Sequence, residues 1–170
     1  MIAPSAWVEA YLDCLPVSGR VLDLACGQGR HVRLLANGKR EVHAVDRDPE
    51  ALSRLAGLPG VQTRRLDLET ESWPLAGERF DGIVVTNYLW RPQLDALMAL
   101  LAPAGVLIYE TFMIGNAAFG KPSRPEFLLQ PGELRERCAA AGLCEKAFFE
   151  GYAEQPKPCM RQAIVAERAI

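Results

Sequence analysis

Asp23, Gly27, Gly29, Asp46 and Asp67 are the residues of this chain whose types and spacing suggest shared chemistry. Residues 21–30, V-L-D-L-A-C-G-Q-G-R, set an acid inside an apolar run and glycines directly behind it. Glycine lets a loop bend into conformations closed to other residues and brings backbone N–H groups close to a ligand. Asp46 and Asp67 each close a further expected strand. On parallel strands the three acids would meet at the carboxyl edge of the sheet, where open sheets bind ligands. A carboxylate at the end of the second strand suits a ribose diol, because it accepts from both hydroxyls. Asp67 would accept from an exocyclic adenine amine, and Leu66 and Leu68 would cover a flat base. The expectation is a nucleoside-like ligand over the glycine turn.

The dinucleotide fingerprint G-x-G-x-x-G fails its third position, which falls on Val32. That glycine normally lets the helix approach its strand, so its absence argues against a nicotinamide dinucleotide. Asp23 would repel a phosphate. It suits a ligand carrying an ammonium and a sulfonium.

The elements needed to place these residues follow from apolar period and punctuation. Residues 5–15 read as a helix, stopped by Pro16 and Gly19. Strands are expected at 21–25, 41–46, 61–67, 80–86 and 106–110. Helices are expected at 31–36, 50–58 and 92–101, with Asp48-Pro49 as an N-cap and first-turn proline. Strand and helix thus alternate, which implies a parallel sheet covered on both faces. Residues 111–131 break the rhythm with glycines and prolines, and a loop this long in a domain is usually functional. A helix at 133–141 and strands at 143–151 and 160–168 finish the chain, the last running antiparallel through a hairpin-type return.

Bulk properties bound the reading. The 170 residues suit one domain, and 49% hydrophobic with 24% charged residues is ordinary for a globular protein. A formal charge of −2 argues against broad nucleic-acid contact without excluding a local patch. No apolar run approaches a membrane span, and the N-terminal residues lack signal-peptide character, so a cytoplasmic location is expected. Five cysteines without a C-x-x-C pair, and two histidines without zinc-type spacing, imply reduced cysteines and no metal site.

The motifs taken together resemble class I S-adenosylmethionine-dependent methyltransferases. V-L-D-L-A-C-G-Q-G-R is similar to that family's D-x-G-x-G-x-G, with Asp23, Gly27 and Gly29 matching and Ala25 in place of the first glycine. V-H-A-V-D-R-D-P resembles the second motif, R-R-L-D-L the third, F-D-G-I-V-V-T-N-Y-L the fourth, and L-A-P-A-G-V-L-I-Y-E the strand after it. The resemblance implies a Rossmann-like α/β three-layer sandwich with a seven-stranded, mostly parallel sheet, in the order 3-2-1-4-5-7-6 with the seventh strand antiparallel. It also implies S-adenosyl-L-methionine as cofactor, leaving as S-adenosyl-L-homocysteine. Asp23, Ala25, Cys26, Gly27, Gly29, Asp46, Arg47, Asp67, Leu68 and Asn87 would hold it. G-Q-G-R-H is further similar to the tellurite-resistance branch of small bacterial methyltransferases. The motifs do not specify the acceptor.

Candidates for the acceptor side come from the loops after the fourth and fifth strands. Tyr88 either orients an acceptor or packs the strand end. Glu110 acts as a base, binds a cation, or brackets the long loop. Trp90 and Arg91 would form an aromatic wall and an anion hook, and His31 would reach the cofactor or acceptor from the helix start. Phe112, Asn116, Phe119, Lys121 and Arg124 would form a lid suited to an acceptor with an apolar body and an anionic group. The amino-methylating N-P-P-Y signature is absent from T-N-Y-L-W-R-P. A small-molecule acceptor is the expectation. An RNA or protein methyltransferase working with a partner, and a non-catalytic cofactor-binding protein, are the alternatives. The oligomeric state stays open.

Overall fold

The computed structural model describes residues 2–170. Its centre is a seven-stranded sheet in the order β3-β2-β1-β4-β5-β7-β6. The strands are β1 Gly19–Leu24, β2 Arg40–Asp46, β3 Val61–Arg65, β4 Phe80–Thr86, β5 Leu101–Phe112, β6 Leu143–Ala153 and β7 Cys159–Arg168. The first five run parallel, while β7 is antiparallel to both β5 and β6. The expected topology is therefore the observed one. The inner residues of strands β1, β2 and β4 are buried and mostly apolar because both faces are covered.

Each face carries its own core. One gathers Leu22, Leu24, Phe80, Ile83, Tyr109 and Ile164 beneath helices α4 (Leu94–Met98) and α5 (Glu133–Ala140). The other gathers Val21, Val32, Leu35, Leu55, Val84 and Ile108 beneath α1 (Ala6–Ala10), α2 (Arg30–Leu35) and α3 (Pro49–Ser53). Ser5 caps α1 by accepting from the N–H groups of Trp7 and Val8. Asp48 caps α3 in the same way, ahead of Pro49.

Several elements differ from their sequence expectations, among them α3, which ends at Ser53 and not at Leu58. The helix expected over 92–101 is a 3₁₀ turn, Arg91–Gln93, followed by α4, because Leu101 already pairs with Phe80 as a strand residue. Strand β5 is longer than expected, since antiparallel β7 supplies partners out to Phe112, opposite Arg161. The first helix stops at Ala10 and continues as a 3₁₀ turn at Leu12–Cys14.

The loop at 113–132 is an ordered strap. Leu129 N–H donates to the Phe112 carbonyl and Ile114 N–H donates to the Leu129 carbonyl, which folds the loop back on itself. Short 3₁₀ turns at Asn116–Ala118 and Pro125–Phe127 fill the excursion.

Candidate active site

The register brings Asp46, Leu24, Thr86, Glu110 and Arg161 to one edge of the sheet. The loop leaving β1 is folded tightly over it. Cys26 N–H donates to the Val45 carbonyl, which ties the loop to β2. Gly27 N–H donates to Asp46 Oδ2 at 2.8 Å, and Asp48 N–H donates to Oδ1 at 2.9 Å. Two backbone donors thus fix the Asp46 carboxylate and leave lone pairs on both oxygens for a diol.

The two loop glycines do different work. Both are left-handed, with φ of 54° at Gly27 and 79° at Gly29. A Cβ on Gly29 would sit 2.3 Å from Leu55 Cδ2, so this glycine is required by the packing of α2 against the residues after α3. A Cβ on Gly27 meets no atom within 4 Å. Both glycines are expected beside the ligand, and of the two only Gly27 has open space where a side chain would stand. Ala25 also takes a left-handed φ of 55°, where the family pattern has glycine.

Asp23 is 1% exposed and its Oδ2 has no hydrogen-bond partner. Burial pushes its carboxyl up to about 8. The Arg30 charge opposes that shift and the Asp46 charge adds to it. Burying a carboxyl with an unpartnered oxygen carries a desolvation cost that a cationic partner would offset.

Two cavities meet at Ala25. One, of about 190 Å³, is lined by Asp46, Arg47, Leu66, Asp67, Leu68, Glu69 and Tyr88. The other, of about 530 Å³, is walled by Cys26, Gly27, Arg30, Arg33, Thr86 and Asn87 among others, and no carboxylate lines it. Charge therefore differs across the glycine loop, with three carboxylates outnumbering Arg47 on one side and three arginines on the other. A cavity of about 540 Å³ lies at the opposite edge of the sheet. There the Arg168 guanidinium closes the carbonyls of Met98, Leu101 and Ala141, a packing role.

The structure corrects several acceptor-side expectations. His31 is buried, and its Nε2 accepts from Ser5 N–H at 2.9 Å. Burial, helped by the Arg30 charge, pushes its pKa down to about 4, so the ring is neutral and braces the N-terminal segment. Arg91 is not an open anion hook: its fork is saturated by both oxygens of Glu133 at 2.7 Å and by the Leu128 carbonyl at 2.6 Å. Asn116 spends its amide within the strap, donating to the Pro122 carbonyl and accepting from Met160 N–H.

Trp90 packs with Leu94, Leu97 and Tyr109 beside α4. Phe119 faces Tyr152, with ring centres 5.5 Å apart, and Arg124 pairs with exposed Glu126. Phe119, Lys121 and Arg124 line neither cavity. Tyr88 lies on the acidic side. Its hydroxyl is buried without a partner and burial raises its pKa, so it stays a phenol.

Glu110 and Phe112 do reach the open edge, and there they meet a residue that the sequence reading missed. Arg161 of β7 lies 3.6 Å from Glu110 Oε2, and its Nη1 donates to Asn87 Oδ1 at 3.1 Å. The available signal was a lone cation near the start of an otherwise buried strand.

Comparison with known proteins now decides the family. A family model described as a methyltransferase domain matches residues 21–105, half of the chain. The chain belongs to the methyltransferase domain family. The Bacillus subtilis protein YqeM, named as a methyltransferase, is 30% identical over 115 residues, which is 61% of this chain and 45% of YqeM. The chain therefore spans less than half the length of that curated relative. TehB of Haemophilus influenzae superposes with a TM-score of 0.76 at 18% identity, covering 95% of this chain and 61% of TehB. A Listeria monocytogenes structure described as an S-adenosylmethionine-dependent methyltransferase superposes with a TM-score of 0.73 at 13% identity, covering 96% and 98% of the two chains. At these identities the structural likeness speaks for the fold.

The motif resemblance implies S-adenosylmethionine as the cofactor of this methyltransferase domain. The residues present fit it. The orphaned Asp23 oxygen matches an ammonium, Asp46 has capacity for a diol, and Leu66, Leu68 and Tyr88 offer walls for a base.

Proposed function

We propose that the 170 residues form a single class I methyltransferase domain that methylates a small-molecule acceptor in the cytoplasm. The observation that carries this reading is the pair of cavities joined at Ala25, acidic on one side and arginine-lined on the other. In this reading Asp46 takes the ribose hydroxyls, while Asp67, Leu68 and Tyr88 flank the adenine and Arg47 forms the outer wall. Asp23 takes the ammonium. Ala25, Cys26 and Gly27 lie beneath, and Asn87 stands where the two cavities turn toward the acceptor.

S-adenosylmethionine, when bound, supplies a methyl carbon on a positively charged sulfur. The chain's share is alignment and exclusion of water around the reacting pair. The arginine-lined wall holds an acceptor, and the carboxylate nearest to it, Glu110, is engaged by the Arg161 charge. The acceptor must then bring a free lone pair, or lose its proton only as the new bond forms. A volume of about 530 Å³ suits a small molecule beside the cofactor's amino-acid end.

The test is a screen of small molecules and RNA with coupled detection of S-adenosylhomocysteine. Turnover of a small molecule, lost in Asp46→Ala through weaker cofactor binding, is the expected result. Turnover confined to RNA or to a protein would overturn the acceptor class.

A further inference from the structure

The arginines around the cleft are unequal. Arg33 and Arg54 stand near the rim; Arg33 bonds the Gln28, Gly29 and Arg54 carbonyls, and Arg54 bonds side chains of Gln28 and Glu50. Arg161 is only 8% exposed, stands behind Asn87 and not in the cavity wall itself, and sits opposite Phe112 in the sheet. Its guanidinium carbon lies 4.7 Å from the centre of the Phe112 ring. Both Nη atoms donate to the single amide oxygen of Asn87, itself a wall residue of the larger cavity. Glu110 stands at 3.6 Å, near enough for charge attraction and too far for a hydrogen bond.

The contrast with Arg91 is informative. There a carboxylate closes the fork face to face. Arg161 is buried, stacked and oriented, yet its Nε edge makes no hydrogen bond among the described residues. That edge is not sealed by protein, and a planar anion would supply its acceptor.

Charge balance agrees. Arg30 and Arg161 stand with Glu110 and Asp23 at this end of the cleft. Burial holds the proton on Asp23 in the ligand-free protein, so the cluster carries a net positive charge. With cofactor in place, Asp23 loses that proton to face the ammonium. The cofactor's ammonium, carboxylate and sulfonium together contribute one positive charge, which offsets the new negative one. The surplus positive charge persists, facing the acceptor.

We propose that Arg161, set in place by Phe112, Asn87 and Glu110, binds the methyl acceptor, and that the acceptor carries a carboxylate. The inference rests on the reading of the cleft as an S-adenosylmethionine site, and the experiment separates the two. The protein is first saturated with S-adenosylhomocysteine, with affinity measured by calorimetry. Benzoate and its neutral isostere benzamide are then titrated, each followed by protein NMR shifts.

The expected result is at least tenfold tighter binding of benzoate. Arg161→Gln should erase that preference while leaving S-adenosylhomocysteine affinity within threefold. If Arg161→Gln does not fold, the pair Glu110→Gln with Arg161→Gln, which leaves no lone buried charge, is read by the same criteria. Equal binding of benzoate and benzamide, or a preference that survives loss of the guanidinium, overturns the proposal alone. Failure of the wild type to bind S-adenosylhomocysteine overturns the cofactor reading and the proposal with it.

Discussion

Gly29→Ala and Gly27→Ala change the same loop by the same atom, and the structure gives them opposite consequences. Each forces alanine into a left-handed backbone, which costs about 1–2 kcal/mol. Gly29→Ala adds a collision, its Cβ falling 2.3 Å from Leu55 Cδ2 in a fully buried cluster. Overpacking of that kind costs about 1–3 kcal/mol more. The sum, about 3 kcal/mol, lowers Tm by about 6–12 °C in a chain of this size. Gly27→Ala meets no atom and should lose only the backbone part, about 2–8 °C.

Binding should invert the order. Gly27→Ala places its methyl beside the cavity and should weaken S-adenosylhomocysteine at least tenfold, whereas folded Gly29→Ala should bind within a few-fold of wild type. Leu55→Ala supplies the control. In the Gly29→Ala background it makes room for the new methyl, so the two changes should couple by about 1–2 kcal/mol in the favourable direction. Thermal unfolding and calorimetry on the five proteins read all of this. Additive stabilities, or a larger binding loss for Gly29→Ala than for Gly27→Ala, would refute the division of labour.

Three further outcomes are expected. The raised pKa of Asp23 means that the folded protein holds this proton where the unfolded chain has lost it. Its contribution to stability is full below pH about 4 and lost as pH rises to about 8, so ligand-free Tm should fall between pH 5 and 8. Asp23→Asn should flatten that slope, and parallel curves for the two proteins would reject the assignment. Arg91→Met removes a mostly buried clamp and should cost about 1–3 kcal/mol. It should also speed hydrogen exchange at Leu128 and Leu129 and leave S-adenosylhomocysteine affinity alone; a collapse of affinity with the strap intact would return Arg91 to the binding site. Ala25→Gly relieves a left-handed alanine and should add about 1 kcal/mol of stability, and a loss instead would show that the methyl packs productively.

How much was legible depended on how far apart the cooperating residues lie. The alternation of apolar strands with helices, and Asp46 at a strand end, follow from local pattern, and the sheet order bears them out. Asp23 could be placed on its strand, though its burial required the second core. Helix ends were poorly legible because a competing strand pairing decides them, as at Leu101. Arg91 and the strap residues misled for a chemical reason. Arg91, Asn116 and Phe119 are residue types that bind ligands, and here they satisfy carbonyls and pack a loop. Arg161 was invisible because its partner Asn87 is 74 residues away. The two meet only once antiparallel β7 is inserted between β5 and β6.

A crystal structure with S-adenosylhomocysteine tests the central claim most directly. The account expects ribose hydroxyls on Asp46, the base between Leu68 and Tyr88, and the ammonium on the Asp23 oxygen that has no partner in the free protein. Density in the cavity beside Arg168, or a ligand in the cleft with Asp23 still unpartnered, would contradict it.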